Sequence, residues 1–272
     1  MLDFYGYKDI RMNYGNHLMT KLDITGKHIA VWFSCGAASA VAAKLTLDKY
    51  GSRNKVSIIN NPIKEEHEDN QRFLKDVEGW LGHPIEFAVR SKYPDQSCEK
   101  VWQDRRYMSG VSGAPCTLEL KKKARQEWEN KNKPDYTVLG FTAEETHRAD
   151  RFRLTERDTL LTPLIDDGYN KQDCFDAILN AGIDLPYIYK LGFPNANCIG
   201  CVKAGSATYW NLVRKEFPEV FQSRLDQSED IGAKLAYYKG KRVSLKDLPE
   251  NAKGRSLKNY NFECGLFCEE KL

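Results

Sequence analysis

Hydrophobic and polar positions change period repeatedly along this chain. KHIAVWF (27–33) is a run of β-branched and aromatic residues, and SCGAAS interrupts it before AVAAKLTLDKY takes on helical composition. KVSIIN (55–60) predicts a second strand. EEHEDNQRFLKDVEGWL (65–81) predicts an amphipathic helix with Phe73, Leu74, Val77 and Leu81 on one side. PIEFAV (84–89) and YTVLGF (136–141) predict a third and a fourth strand. Strands separated by helical segments of this length need crossover connections. The expectation is therefore an α/β fold, a Rossmann-like and mostly parallel sheet with helices on both faces. After about residue 170 the pattern turns to helices and irregular loops, which predicts a cysteine-bearing C-terminal extension. The expected division is an N-terminal extension over 1–26, an α/β core over 27–170 and the extension over 171–272, packed on the core. No internal repeat or low-complexity segment interrupts it.

Composition narrows the class only a little. The chain has 272 residues, 41% hydrophobic and 29% charged, as ordinary globular proteins do. No apolar run reaches the roughly 18 residues needed to span a bilayer. MLDFYGYKDIRMNYGNH lacks the basic-then-apolar layout of a signal peptide, so a cytoplasmic location without membrane contact is expected. A net charge of +3 decides nothing about partners. Local basic runs, KKKAR (121–125) and KGKR (239–242) with Lys253, Arg255 and Lys258 beyond, are either solvated surface or faces for a nucleotide or nucleic acid.

SCGAAS lies where the first strand would hand over to a helix. In open parallel sheets ligands bind there, against helix N-termini. Ser34 and Ser39 offer hydroxyls, Gly36 permits close backbone approach, and Ala37 and Ala38 add backbone amides, a set suited to a phosphate or sulfate. The competing account is a plain turn with small residues for packing. GK[ST] is absent, which excludes the lysine-bearing phosphate loop. GFTAEETHRADR (140–151) would follow the fourth strand, with Glu145 and Arg148 three apart on one helical face. That spacing suits either a second nucleotide contact or an exposed salt-bridged turn.

The eight cysteines read as chemistry rather than as disulfides, because a cytosolic chain keeps thiols reduced. NCIGC places Cys198 and Cys201 in a C-x-x-C turn, and GAPC adds Cys116, followed by lysines that would favour a thiolate. Cys98 and Cys174 stand apart, Cys174 as a buried small residue in a helical pattern; Cys35 reads as a small side chain in the loop. Cys264 and Cys268 end the chain. Three thiols plus one from the tail complete a set of four, and spacing alone leaves zinc and an iron–sulfur cluster equally open.

From about Lys27 onward the chain resembles the phosphoadenosine phosphosulfate (PAPS) and adenosine phosphosulfate (APS) reductases of the PP-loop, or adenine nucleotide α-hydrolase-like, superfamily. SCGAASAV is similar to the modified PP-loop of these reductases, with Ala38 where ATP pyrophosphatases carry aspartate. GFTAEETHRA is similar to their G-x-R-x-x-E-S-x-x-R-A loop, TPLIDDGY to their PL-x-W run, and ECGLF to their ECGLH tail. The resemblance implies an adenine sulfonucleotide in the loop formed by Ser34, Gly36, Ala37, Ala38 and Ser39, with Glu145 and Arg148 nearby. It implies Cys264 as the nucleophile that attacks the sulfuryl sulfur, and a thioredoxin-like reductant that releases sulfite. It also implies a [4Fe-4S] cluster on Cys116, Cys198, Cys201 and Cys268, with zinc as the alternative.

The chain departs from the family pattern at Thr117, in place of a tandem cysteine, and at Cys198, which lies upstream of its partner. Thr142 replaces the loop arginine and Phe267 the tail histidine. These departures keep two alternatives open, an iron–sulfur-dependent sulfurtransferase that uses ATP to thiolate a nucleic acid and a non-catalytic nucleotide-binding relative. Homo-oligomer formation also stays open.

Overall fold

A computed structural model describes residues 24–110 and 113–257. Five strands form one parallel sheet: β1 (His28–Phe33), β2 (Lys55–Asn60), β3 (Ile85–Phe87), β4 (Tyr136–Val138) and β5 (Leu160–Leu161), in the order β3-β2-β1-β4-β5. The expected α/β class is the one observed. Side-chain alternation along β1 explains why the sheet is covered twice. Ile29, Val31 and Phe33 enter one apolar cluster with α1 (Ala37–Tyr50), α2 (Asp69–Leu81) and α7 (Lys171–Asn180). Ala30 and Trp32 face the other side, toward Trp128 of α4 (Ala124–Asn132) and Phe152 of α5 (Thr146–Thr155).

Helix α1 opens with small residues, and its buried Ala40, Ala42 and Ala43 let its backbone lie close to the sheet and to α7. Helix α2 buries Phe73, Val77 and Leu81 at four-residue spacing, each stabilising by roughly 1.5–3 kcal/mol. It stops at Gly82, whose φ of +59° supplies the left-handed cap.

A third apolar cluster lies beside the sheet. It combines α3 (Cys98–Arg105) and a π-helical turn (Thr117–Lys123) with residues 188–252, chiefly α9 (Ala207–Glu216) and α10 (Pro218–Ile231). Trp102 and Trp210 are its largest fully buried side chains. Two short helices, α6 (Pro163–Asp166) and α8 (Tyr187–Lys190), complete the helical set.

Some expected bounds change. Helix α2 begins at Asp69 rather than Glu65, because residues 64–68 form a loop whose carboxylates serve neighbouring segments. β4 ends at Val138 because Gly140 turns against the start of α1. β5 and the antiparallel hairpin β6 (Ala236–Tyr238) and β7 (Lys241–Val243) were not expected; the hairpin modifies the helical and irregular picture of the extension. Lys239 and Gly240 of KGKR form its turn, at φ +50° and +75°, the handedness that tight hairpins require, and Lys241 and Arg242 open β7. The other basic run is internally paired: Lys121 with Glu66, Lys122 with Glu156 and Lys123 with Glu119. No helix among the described residues is long and apolar enough to cross a membrane.

Candidate functional site

Strand order reverses between β1 and β4, since β2 and β3 lie on one side of β1 and β4 and β5 on the other. A crevice at such a reversal, beyond the strands' carboxyl ends, is where open α/β sheets take ligands. β1 delivers Ser34–Ser39 to that point, and β4 delivers Gly140. The two loops touch: a Cβ placed on Gly140 would sit 2.7 Å from the Ser39 amide nitrogen and 2.8 Å from its Cα.

Within the first loop, Ser39 Oγ accepts from the Ser34 amide at 3.0 Å and donates to the Gly36 carbonyl at 2.9 Å. The two serine hydroxyls are 3.1 Å apart. Ser39 is buried and braces the loop, whereas Ser34 is exposed. Gly36 caps α1 without a side-chain bond, leaving the first-turn amides of Ala37, Ala38 and Ser39 at the positive end of the helix. Tyr189 brings its hydroxyl to within 3.5 Å of where a Gly36 Cβ would stand. Cys35 holds φ at +56°, a conformation non-glycine residues seldom adopt, and the Asn60 amide donates to its sulfur at 3.4 Å. Burial pushes the Cys35 thiol up, with Glu66 adding to the effect. It therefore stays a protonated packing group, in line with its reading as a small side chain.

Glu145 and Arg148 pair with each other on the second loop, and the Arg148 guanidinium lies over the Phe141 ring at 5.1 Å. Glu145 also closes a capping box with Thr142. The pair follows Gly140 in the chain, with Arg148 already engaged by a carboxylate.

The described cysteines are all buried free thiols. Cys116, Cys198 and Cys201 share the third apolar cluster, and so does Cys98. Cys98 Sγ lies 4.0 Å from Cys198 Sγ. The neighbouring thiols of Cys116 and Cys198, then burial, raise the Cys98 pKa. Tyr209 ties the C-x-x-C turn together: its hydroxyl accepts from the Cys201 amide at 2.8 Å and donates to the Cys198 carbonyl at 3.4 Å. Burial, followed by the proximity of Cys201, pushes the Tyr209 phenol up. As the side chains stand, no group of three or more His, Cys, Asp or Glu among the described residues is disposed around a metal ion. The donor chemistry nevertheless fits a thiophilic centre, with four cysteines in one apolar cluster and one pair at ligand spacing. Two sulfurs on a tetrahedral ion with bonds of about 2.3 Å lie about 3.8 Å apart.

Loop 61–68 joins the two regions. The Glu65 carboxylate accepts from the Ser97 hydroxyl at 2.8 Å and from the Cys98 amide at 2.8 Å, and its backbone carbonyl accepts from the Ile199 amide at 2.9 Å. Its neighbour Glu66 reaches Lys121 at 3.9 Å and acts on Cys35 in the Ser34–Ser39 loop. Sequence reasoning gave no site role to Cys98, Glu65 or Tyr189. For Cys98 a local signal existed, its place directly after the helix-capping Ser97. Cys174 packs against α1 as a small core residue. Cys264 and Cys268 lie outside the described residues. A separate concavity of about 600 Å³, lined by Lys27, His28, Arg53 and Asp135, opens at the opposite, amino-terminal end of β1.

No protein-family model matches the chain, and no curated protein matches it. Two solved structures with a similar layout are a PAPS reductase from Candida auris, as a phosphate complex, and the U34-tRNA thiolase NcsA from Methanococcus maripaludis with its [4Fe-4S] cluster. The first is 10% identical and covers 62% of this chain and 80% of its own; the second is 11% identical and covers 76% and 72%. Both superpose with a TM-score of 0.43. At that identity and superposition the similarity carries no argument about activity, and the fold class rests on the sheet itself.

Proposed function

We propose that the chain is an enzyme of the sulfonucleotide-reductase type, acting on APS or PAPS. The observation that supports this most is the place of Ser34–Ser39, at the strand-order reversal with an uncapped helix start and Gly140 packed on it. The first-turn amides and Ser34 would hold the anionic end of the nucleotide, with Arg148 supplying charge nearby. The Cys264 thiolate attacks the sulfuryl sulfur; the new S–S bond forms as the S–O bond to the nucleotide phosphate breaks, and the phosphate keeps that electron pair. A dithiol partner of the thioredoxin type then attacks the cysteine sulfur and expels sulfite, and its second thiol resolves the mixed disulfide. The two electrons come from the dithiol. A cysteine-bound metal centre, when present, supplies fixed charge near the sulfate or an anchor for the tail.

The test is intact mass of anaerobically purified protein after separate incubation with APS, PAPS and ATP. A sulfonate adduct that maps to Cys264, vanishes with reduced thioredoxin and is missing in Cys264→Ser is the expected result, and the productive nucleotide names the substrate. No adduct with either sulfonucleotide, but cleavage of ATP, would transfer the assignment to a thiolating enzyme.

A further inference from the structure

We infer that Cys98, rather than a cysteine of the tail, is the fourth thiol of a metal centre formed with Cys116, Cys198 and Cys201. The inference deepens the functional reading but does not rest on the substrate, because it is tested without nucleotide.

Three observations carry it. The first is distance: Cys98 and Cys198 are a hundred residues apart in sequence, yet their sulfurs lie 4.0 Å apart, close to the spacing of two ligands on one tetrahedral ion. Cys116 adjoins Cys98, and Cys201 shares the turn of Cys198, so three separate chain segments converge.

The second is bracing of the backbones that carry the thiols. Glu65 grips both at once, its carboxylate on the Cys98 amide and its carbonyl on the Ile199 amide inside the C-x-x-C turn. Arg224 makes a parallel link. Its Nε donates to the Gly200 carbonyl at 3.3 Å, and its guanidinium pairs with Glu99, the residue after Cys98. Gly200 stands at φ +68°, and a Cβ there would lie 3.1 Å from the Arg224 side chain, so turn and guanidinium are closely fitted. Second-shell contacts of this kind orient metal ligands.

The third is charge. Four thiolates around a divalent ion or a [4Fe-4S]²⁺ core leave a net negative centre, which an apolar cluster disfavours without a nearby cation. Arg224 is almost fully buried directly against the turn, and its Nε–H faces the turn while its Nη1 pairs with the part-exposed Glu99. Each thiol turns about one χ1 bond between staggered wells, so closing the ligand set takes side-chain rotation on these braced backbones. A four-sulfur set is closed, with no tail ligand needed.

The test measures metal and sulfide per chain in full-length protein, purified anaerobically and reconstituted in separate arms with zinc and with ferrous iron plus sulfide. In the zinc arm X-ray absorption counts the sulfur neighbours, expected to be four; in the iron arm iron and sulfide per chain are the readout. Wild type and the Cys264→Ser/Cys268→Ser double variant should hold equal metal, and Cys98→Ser should hold at least fivefold less. The arm that loads identifies the metal as zinc or an iron–sulfur cluster. The tail substitutions change none of the described residues, so metal content in the double variant decides the matter even if Cys98→Ser fails to fold. Metal loss in the double variant, full metal in a folded Cys98→Ser, or no metal in wild type from either arm would each overturn the assignment. An adduct on Cys264 with no metal in any arm would sink this inference while leaving the reductase reading intact.

Discussion

Replacing Gly140 by alanine tests whether the anion cradle is set by packing between two loops. The added Cβ would meet the Ser39 nitrogen at 2.7 Å, Ser39 Cα at 2.8 Å and the Ala38 carbonyl carbon at 3.1 Å. These are backbone atoms at the start of α1 and cannot swing aside as a side chain would. An ordinary contact lies near about 3.5 Å, so either α1 or the 139–145 loop must move by about 0.8 Å. Such overpacking costs about 1–3 kcal/mol, offset by roughly 0.4–1 kcal/mol because alanine restricts the unfolded chain. A net loss of about 1–2 kcal/mol should appear as a lower urea midpoint. If the first-turn amides of α1 hold the anion as proposed, a shift of most of an ångström there should also weaken nucleotide binding on the order of tenfold or more, measured by calorimetry. Gly79→Ala is the matched control, since that glycine lies within α2 and its Cβ would meet nothing within 4 Å. It should gain up to about 1 kcal/mol and bind nucleotide normally. Wild-type stability and affinity in Gly140→Ala would refute the packing argument outright.

Two further outcomes are expected. Ser39→Ala removes the acceptor for the Ser34 amide and the donor to the Gly36 carbonyl, so it should cost about 1–3 kcal/mol and weaken nucleotide binding without changing metal content; unchanged affinity would count against placing the anion there. Burial pushes the Cys174 thiol up to about 12, from an ordinary value near 9, so the folded state holds this proton more tightly than the unfolded chain. The resulting stability is complete below about pH 9 and is lost as pH rises toward 12. Urea midpoints between pH 8 and 11 should fall more steeply in wild type than in Cys174→Ala, and parallel profiles would contradict the assignment.

The central strands were legible because β1 and β2 are buried on both faces and so read as continuous apolar runs. β5 was not, since Leu160 and Leu161 pair with β4 over two residues and no period can be read from so short a stretch. The hairpin near the end hid behind its charge. Its turn uses Lys239 and Gly240, so the residues that set its geometry looked like a basic surface run, and a lysine at φ +50° carries no sequence signal of its own. The lysines of KKKAR deceived in the same way, because each has a carboxylate partner that only the packed structure supplies.

The site divides along similar lines. The loop of Ser34–Ser39 could be found because a strand-to-helix turn is local, and its chemistry follows from the helix start it creates. The internal use of the Ser39 hydroxyl could not, because it depends on the loop closing on Gly36. Among the cysteines, C-x-x-C spacing reveals only partners a turn apart. Cys98 meets Cys198 across a hundred residues, through α3 docking on the C-terminal helices, and the grip that aligns them comes from Glu65, which sequence pattern assigns to the start of α2. A helix drawn from Glu65 would direct that carboxylate along its own helix instead of onto the amide of Cys98. The shifted helix start thus hides the approach of Cys98 to Cys198, and placing Glu65 in a loop makes that approach visible.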